Sequence, residues 1–176
     1  MKLFKKQKIQ VKVFNENCIF SYNPKGDWID LRAAKDVMVE APTANTLHAG
    51  RTKREVDFSY YEIPLGIGMK LPKGYEAYVL PRSSAFKKYG FIKANSEAVI
   101  DYKYSGPEDE WNLLILGIKN SMIQEGDRIC QFRIQLSQKA TIWQKIKWLF
   151  SKHFEFEFVK DYEGENRGGI GSTGTK

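Results

Sequence analysis

Apolar and polar residues alternate along several short stretches of this chain. We assign this pattern to residues 9–13, 76–80, 113–118, 129–136 and 154–158, and it is clearest in 154–158 (FEFEF). A period of two places the apolar side chains on one face of a β-strand. Turn sequences such as Pro-Lys-Gly, Ser-Gly-Pro and Glu-Gly-Asp separate the stretches. We therefore predict an all-β sandwich or barrel.

One segment departs from this pattern. In residues 141–152 (TIWQKIKWLFSK), Ile142, Ile146, Leu149 and Phe150 recur at helical spacing. This spacing predicts a short amphipathic helix within an insertion at residues 139–153. Because apolar helix stripes usually face a core, we expect the stripe to cover the body of the domain rather than a membrane or a nucleic acid.

Length and composition favour one domain. The chain has 176 residues, of which 42% are hydrophobic, enough for a single core. We expect a body at residues 1–162, with an irregular surface loop at 41–57, and a flexible C-terminal arm at 163–176. Two cysteines and two histidines are too few for a disulfide framework or a zinc cluster.

The sequence also bounds location and partners. No apolar run approaches a membrane span, and the N-terminus lacks signal-peptide features. We therefore expect a cytoplasmic protein without membrane contact. The net charge of +7 raises the possibility of nucleic-acid binding, yet the lysine-rich stretches of the chain carry no recognisable nucleic-acid-binding module. A solvated basic surface is the interpretation we prefer, and no nucleic-acid partner is expected.

The tail suits a phosphate chain. Residues 168–176 (GGIGSTGTK) combine four glycines with hydroxyl groups, and Arg167 precedes them. Close backbone approach and cationic donors favour phosphate. A P-loop is not expected, because Thr175 and Lys176 stand in the wrong order and no helix is predicted after them. A disordered tail is the alternative for this segment taken alone.

Five segments place polar residues where strands favour apolar ones. They are residues 26–33 (GDWIDLRA), 81–84 (PRSS), 95–106 (NSEAVIDYKYSG), 126–131 (GDRICQ) and the tail from Arg167. In this order they resemble the five motifs of the trimeric dUTPases, especially those of Bacillus-type bacteria and their phages. The resemblance covers nearly the whole chain.

The resemblance implies a fold and an activity. The fold would be a distorted β-barrel of the jelly-roll type, with the helix near 141–152 as an addition. The activity would be Mg²⁺-assisted hydrolysis of dUTP to dUMP and pyrophosphate, which limits uracil in DNA and supplies dUMP for thymidylate synthesis. A homotrimer would share its active sites, with each arm crossing to a neighbouring chain.

The third segment carries the proposed catalytic base. Asp101 follows the apolar residues 98–100, and a carboxylate held at a strand end can deprotonate water. A turn-capping aspartate is the alternative for Asp101 alone. The resemblance makes Asp101 the base, and it places the ring of Tyr104 against the deoxyribose, where a 2′-hydroxyl would not fit. Asn95 and the backbone around Ile100 would bind uracil.

The other motifs would bind phosphate and metal. The resemblance assigns Asp30 to a magnesium ion through water, and it pairs Arg128 with a carboxylate. The triphosphate and the closing arm would involve residues of the second, fourth and fifth motifs: Arg82, Ser83, Ser84, Gln131, Arg167, Ile170, Gly171, Ser172 and Thr173.

The chain departs from the family pattern in its tail. Many members carry a phenylalanine that stacks on uracil, where this chain has Ile170. We hypothesise that Trp111 supplies an aromatic lid, and a role for Trp111 in the core is the alternative. Ala98 and Ser84 also stand where glycine is common in the family.

Two other functions are alternatives for a chain with these motifs. A dCTP deaminase resembles this fold and the Arg-Ser-Ser segment, but its water-activating glutamate would fall near Gly117, and residues 113–120 contain no glutamate. Deamination is therefore not expected. A regulatory protein partner is a further possibility, because the helix and the 41–57 loop offer surfaces that hydrolysis does not need.

Overall fold

The computed structural model describes residues 7–22, 26–44, 56–150 and 154–169. Within these residues the chain is mainly β-strand. The strands are β1 Gln7–Val13, β2 Ile29–Arg32, β3 Val37–Val39, β4 Thr43–Ala44, β5 Val56–Asp57, β6 Tyr60–Pro64, β7 Ile67–Lys70, β8 Tyr75–Pro81, β9 Phe91–Lys93, β10 Ala98–Asp101, β11 Asn112–Gly117, β12 Ser121–Ile123, β13 Arg128–Leu136 and β14 Phe154–Val159. The helices are a 3-10 turn at Glu16–Cys18, α1 Ala85–Tyr89 and α2 Ile142–Phe150.

The strands form several small sheets. The largest described sheet has the order β10-β8-β13-β2, and all its pairs are antiparallel. A second sheet has the order β6-β11-β9. In a third, β1 lies between β7, which is antiparallel to it, and β14, which is parallel to it. The pairs β12-β3 and β4-β5 complete the described set.

Period-two patterning explains how the largest sheet packs. Along β8, Tyr75, Ala77 and Val79 are buried, whereas the residues between them are partly exposed. Phe132 and Ile134 of β13 are buried on the same side. Alternation therefore gives the sheet one face toward the core and one face toward solvent. The predicted all-β class is confirmed.

The 41–57 segment contains strand at both of its described ends. Its two ends pair as the short strands β4 and β5, with Thr43 opposite Asp57 and Ala44 opposite Val56. The prediction of a wholly irregular stretch is therefore wrong at these ends, because the two arms of the excursion satisfy each other's backbone groups. Residues 45–55 lie outside the described part of the chain.

Helix α2 begins where the sequence predicts, but its orientation differs. Thr141 and Gln144 form a reciprocal capping box, in which each backbone N–H donates to the other side chain. Ile142 and Leu149 of the apolar stripe are 70% and 69% exposed. The expectation that the stripe covers the body is therefore wrong, because the opposite side of the helix makes the contacts with the body.

No helix in the described ranges is long and apolar enough to cross a membrane.

Candidate active site

The solvent-facing side of the largest sheet carries several of the predicted site residues. Gln131 of β13 lies opposite Asp30 of β2 on one side and opposite Leu80 of β8 on the other. Asp101, the last residue of β10, lies opposite Glu76 of β8. Because residues directly opposite each other share a face, Asp30, Gln131 and Asp101 all project from this side of the sheet.

Asp30 is the centre of an arginine cluster. Arg82 Nε lies 2.8 Å from Asp30 Oδ1, and Arg128 Nη1 lies 3.1 Å from Asp30 Oδ2. The Asp30 side chain is 15% exposed, so the two ion pairs are shielded more than typical surface pairs. The arrangement holds two guanidinium groups beside Gln131, which is a suitable environment for an anion.

Two serines follow Arg82 in the turn between β8 and α1. Ser83 and Ser84 are exposed and precede α1. Ser84 occupies the N-cap position of α1, yet its side chain makes no capping hydrogen bond. Both hydroxyl groups lie next to Arg82 in sequence and face solvent, so they are accessible to a ligand that Arg82 holds.

The hairpin from β9 to β10 carries Asn95 at its exposed turn. Ser96 follows with a φ of 52°, a left-handed conformation that non-glycine residues adopt mainly in turns. The Ile100 side chain is buried in the core, so its contact with a ligand would have to come from the backbone. Among the described strands, β10 pairs only with β8. Its other edge therefore offers unpaired backbone groups.

Asp101 is held by two donors. The backbone N–H of Lys103 donates to Asp101 Oδ1 over 2.7 Å, and Arg167 Nη1 lies 2.5 Å from Asp101 Oδ2. The carboxylate is 41% exposed, so water can reach it. Asp101 thus caps a turn, which is the alternative role considered from the sequence, and it also presents an oriented carboxylate at the surface.

Tyr104 packs against the core three residues later. Its hydroxyl donates to the backbone oxygen of Glu110 over 2.7 Å. Burial is the main reason that the pKa of Tyr104 rises to about 12. The ring is therefore neutral and fixed in position at ordinary pH.

The start of the arm lies along its own chain. Asp109, which is 2% exposed, accepts hydrogen bonds from the backbone N–H groups of Gly106, Arg167 and Gly168. Asn166 accepts a further one from the N–H of Glu108. Residues 166–168 of the arm are therefore anchored to the body of their own chain. Ile170, Gly171, Ser172 and Thr173 lie outside the described residues.

Sequence reasoning missed Asp109. Its position within the Ser-Gly-Pro-Glu-Asp turn suggests only a turn residue. Asp109 is distinguished by its burial against the arm, where Arg167 lies 58 residues further along the chain. A local pattern does not contain that information.

Trp111 is not a lid. Its side chain is 0% exposed and meets Phe132 edge-on, with the ring centroids 5.5 Å apart. A fully buried indole cannot stack on a bound base, so the lid hypothesis is wrong and the alternative role in the core is correct. The pattern misled because Trp111 follows a polar turn, yet its backbone bonds with Leu65 and Ile67 draw it inward.

The two cysteines have no role at this site. Cys18 and Cys130 are free and fully buried. Burial is the main cause that raises the pKa of the Cys18 thiol to about 11, and it raises the pKa of Cys130 as well. Because the thiolate is the reactive form, both thiols are inert at neutral pH.

The predicted site residues form two groups within one chain. One group contains Asp30, Arg82 and Gln131, and the other contains Asp101 with Arg167. The partners of these groups on β8, Leu80 and Glu76, are four residues apart. At about 3.3 Å per residue this is about 13 Å along the strand. The two groups therefore lie at different places on the same face of the sheet.

Comparisons with known proteins identify the family. The dUTPase family model matches residues 52–147, more than half of the chain. The SPbeta prophage-derived deoxyuridine 5′-triphosphate nucleotidohydrolase YosS of Bacillus subtilis (strain 168) is 39% identical over 152 residues, which cover 86% of this chain and 87% of that relative. The chain belongs to the dUTPase family. The resemblance predicted from its motifs is thereby confirmed, together with the expected enzyme class.

Solved structures show the same fold. The dUTPase of Streptococcus mutans matches with a TM-score of 0.58 and 18% identity, covering 72% of this chain and 94% of that chain. A dUTPase variant from phage phi11 of S. aureus, described as revealing the coordination of a structural Mg(II) ion, matches with a TM-score of 0.56 and 18% identity. That match covers 76% of this chain and 94% of the phage protein.

Proposed function

We propose that this chain hydrolyses dUTP to dUMP and pyrophosphate by attack of water on the α-phosphorus. The match to the dUTPase family model carries the proposal, because residues 52–147 include Arg82, Asp101 and Gln131. Splitting a triphosphate needs a carboxylate for the water, cations for the phosphate charge and donors for the phosphoryl oxygens. The described residues provide each kind of group.

Asp101 is the proposed general base. The N–H of Lys103 fixes one carboxylate oxygen, and the other oxygen, which pairs with Arg167, is partly open to solvent. A carboxylate held in this way can orient a water molecule and accept its proton. When a nucleotide binds, Arg167 moves from Asp101 to the terminal phosphates, where Ser172 and Thr173 join it. Binding of substrate thereby frees the base.

Arg82, Ser83 and Gln131 are the proposed triphosphate ligands. Asp30 orients the Arg82 guanidinium through Nε and leaves its terminal N–H groups for phosphate oxygens. Arg128 shares the Asp30 carboxylate and is therefore a positioning residue rather than a phosphate ligand.

Selection of the nucleotide rests on the β9–β10 hairpin. The open edge of β10 and the Asn95 amide are the proposed partners for the uracil edge, and these would disfavour cytosine because its donor and acceptor are reversed at one position. The fixed ring of Tyr104 is the proposed barrier to a 2′-hydroxyl. Its hydrogen bond to Glu110 keeps that ring from swinging aside.

Magnesium is the proposed metal ion. In the described ranges no group of three or more His, Cys, Asp or Glu side chains could hold a metal ion. Both oxygens of Asp30 accept from guanidinium groups, so Asp30 fits a contact through water better than a direct one. When bound, magnesium would neutralise charge on the triphosphate, which itself supplies most of the ligands.

A homotrimer with shared sites is the proposed assembly. The group around Asp30 and the group around Asp101 lie at different places along β8, although hydrolysis at one phosphorus requires both. In a shared site, one chain would supply the first group and a neighbouring chain the second, so that both face the same phosphorus. This separation supports the sharing of each site between chains.

The test is a pyrophosphate-release assay with dUTP, dCTP, dTTP and UTP, each with and without magnesium. We expect dUTP to be preferred by about a hundredfold or more over the other nucleotides, because wrong hydrogen bonds and steric exclusion act together. Rapid turnover of UTP would contradict the role given to Tyr104. Ammonia release from dCTP would replace the proposal with deamination.

A further inference from the structure

Helix α2 is attached to the body by one side only. Gln144 Nε2 donates to the backbone oxygen of Lys73 over 2.6 Å. Trp148 packs against Tyr75 and Phe154, with ring centroids 6.2 Å and 5.7 Å away. Gln144 and Trp148 are four residues apart, so they lie on the same side of the helix. That side faces the protein.

The opposite side of α2 is apolar and faces solvent. At about 100° per residue, Ile142, Trp143, Ile146, Leu149 and Phe150 fall within one arc of about 120°, centred opposite Gln144 and Trp148. Ile142, Trp143 and Leu149 are 70%, 75% and 69% exposed. We call this arc the α2 stripe. Its exposure is unusual because such stripes normally cover a core.

Lysines border the α2 stripe on both sides. Lys145 lies about 40° beyond Leu149, and Lys147 lies about 40° beyond Trp143 on the other edge. Residues 137–150, which form the helix and the turn before it, contain three lysines and no Asp or Glu. The helix therefore combines an exposed apolar stripe with positive charge at its borders.

We propose that the α2 stripe binds the surface of an anionic lipid bilayer. A short helix with Trp and Leu on one face and lysines along its borders lies in the interface plane, with the apolar side chains in the bilayer and the ammonium groups at anionic headgroups. Gln144 and Trp148 hold the helix against the body by its other side, so the stripe is already exposed and oriented for binding to a membrane surface. The contact lies on the membrane and does not cross it.

A second copy of the chain and a nucleic acid are both less suitable partners for the α2 stripe. A second copy of the same face would bring the lysines of two acid-free segments together, which is repulsive. A nucleic acid would satisfy the lysines but leave the aliphatic side chains of Ile142 and Leu149 without an apolar partner. An anionic bilayer satisfies both kinds of group.

The test is sedimentation of the full-length protein with vesicles. We would use vesicles of phosphatidylcholine with about 30% phosphatidylglycerol, and vesicles of phosphatidylcholine alone, in about 50 mM and about 500 mM salt. We expect binding to the anionic vesicles at low salt, weaker binding at high salt, and little binding to neutral vesicles. Absence of binding to anionic vesicles at low salt would overturn the proposal.

Two variants examine the stripe and its border. Trp143→Gln/Leu149→Gln should weaken vesicle binding by about tenfold or more, because the removed groups supply buried apolar area. Lys145→Gln/Lys147→Gln, which removes the two border lysines, should weaken binding mainly at low salt. The matched control is Met38→Gln/Met122→Gln, which removes two apolar side chains that are 60% and 44% exposed on other strands.

Three results would contradict the inference. Equal loss of binding in the control would mean that the stripe has no special role. If Trp143→Gln/Leu149→Gln changed the oligomeric state of a protein that ignores vesicles, the stripe would be a contact between copies. Capture of a protein partner through the stripe, without vesicle binding, would likewise replace the lipid surface.

Discussion

Two aspartates, Asp101 and Asp109, bind the start of the C-terminal arm through different kinds of contact. Asp101 pairs with the Arg167 side chain at a partly exposed position. Asp109 is buried and accepts the backbone N–H groups of Arg167 and Gly168. An exposed ion pair contributes little and exchanges readily, whereas a buried charge that loses its donors is strongly destabilising. Asp101 is therefore suited to chemistry, and Asp109 to anchoring.

Replacing the proposed base should separate binding from turnover. Asp101→Asn keeps an oxygen for the Lys103 N–H but cannot take a proton from water at neutral pH. We expect turnover of dUTP to fall by about a hundredfold or more, with nucleotide affinity nearly unchanged. Steady-state kinetics and calorimetric titration would measure the two quantities. The control Glu157→Gln removes an exposed carboxylate of β14, and unaltered turnover in Asp101→Asn would exclude Asp101 as the base.

Lys93 should make stability rise with pH. Burial is the main cause that lowers the pKa of Lys93 to about 8 from its ordinary 10.5. Between these two values the unfolded chain binds the proton that the folded chain has released, so the free energy of unfolding increases as pH rises. Denaturant unfolding at several pH values would measure the slope.

A variant isolates the contribution of Lys93. In Lys93→Met the slope between pH values of about 8 and about 10 should fall by about 1 kcal/mol or less per pH unit, since the side chain is partly exposed and at most one proton is involved. Lys87→Met, which removes an exposed lysine of α1, should keep the wild-type slope. Identical slopes in all three proteins would mean that the pKa of Lys93 is unshifted.

At the scale of elements, periodicity succeeds where one face of a strand is buried. In β8 and β13 the alternation predicted from the sequence matches the alternation of burial. In β11, by contrast, Leu113, Leu114 and Ile115 are all buried. That strand lies between β6 and β9 and has apolar neighbours on both faces, so its face toward the core does not follow from spacing alone.

The arm should loosen when its buried anchor is changed. In Asp109→Asn an amide NH₂ would face one of the backbone N–H donors, so that donor would lose its partner. We expect the free energy of unfolding to fall by about 2 kcal/mol, with faster hydrogen exchange in residues 163–169 and reduced turnover. The control Glu108→Gln changes the adjacent exposed carboxylate. Unchanged exchange in the arm would show that Asp109 does not hold it.

At the scale of the whole molecule, the separation of the two groups leads to a complementation test. The Asp101→Asn and Arg82→Gln variants should each be inactive when expressed alone. When they are co-expressed, each mixed trimer should contain one intact site, with Arg82 from one kind of chain and Asp101 from the other. Random mixing at equal amounts would restore about a quarter of the wild-type activity, because about three quarters of the trimers are mixed and each mixed trimer has one intact site out of three. Activity of purified mixed trimers would be compared with each variant alone. No recovery would place both groups in the site of a single chain.

The strand pattern, the position of α2 and the family follow from the amino-acid sequence alone, because alternation, helical spacing and each of the five motifs involve residues close together in the chain. The resemblance to the family also predicts which residues form the site, and these assignments stay predictions. The position of Trp111 in the core, the outward orientation of the α2 stripe and the anchoring of the arm by Asp109 emerged only from the folded chain. Each of these depends on partners distant in sequence, such as Phe132 for Trp111 and Tyr75 for Trp148. Burial is decided by the packing of the whole chain, which local spacing does not specify.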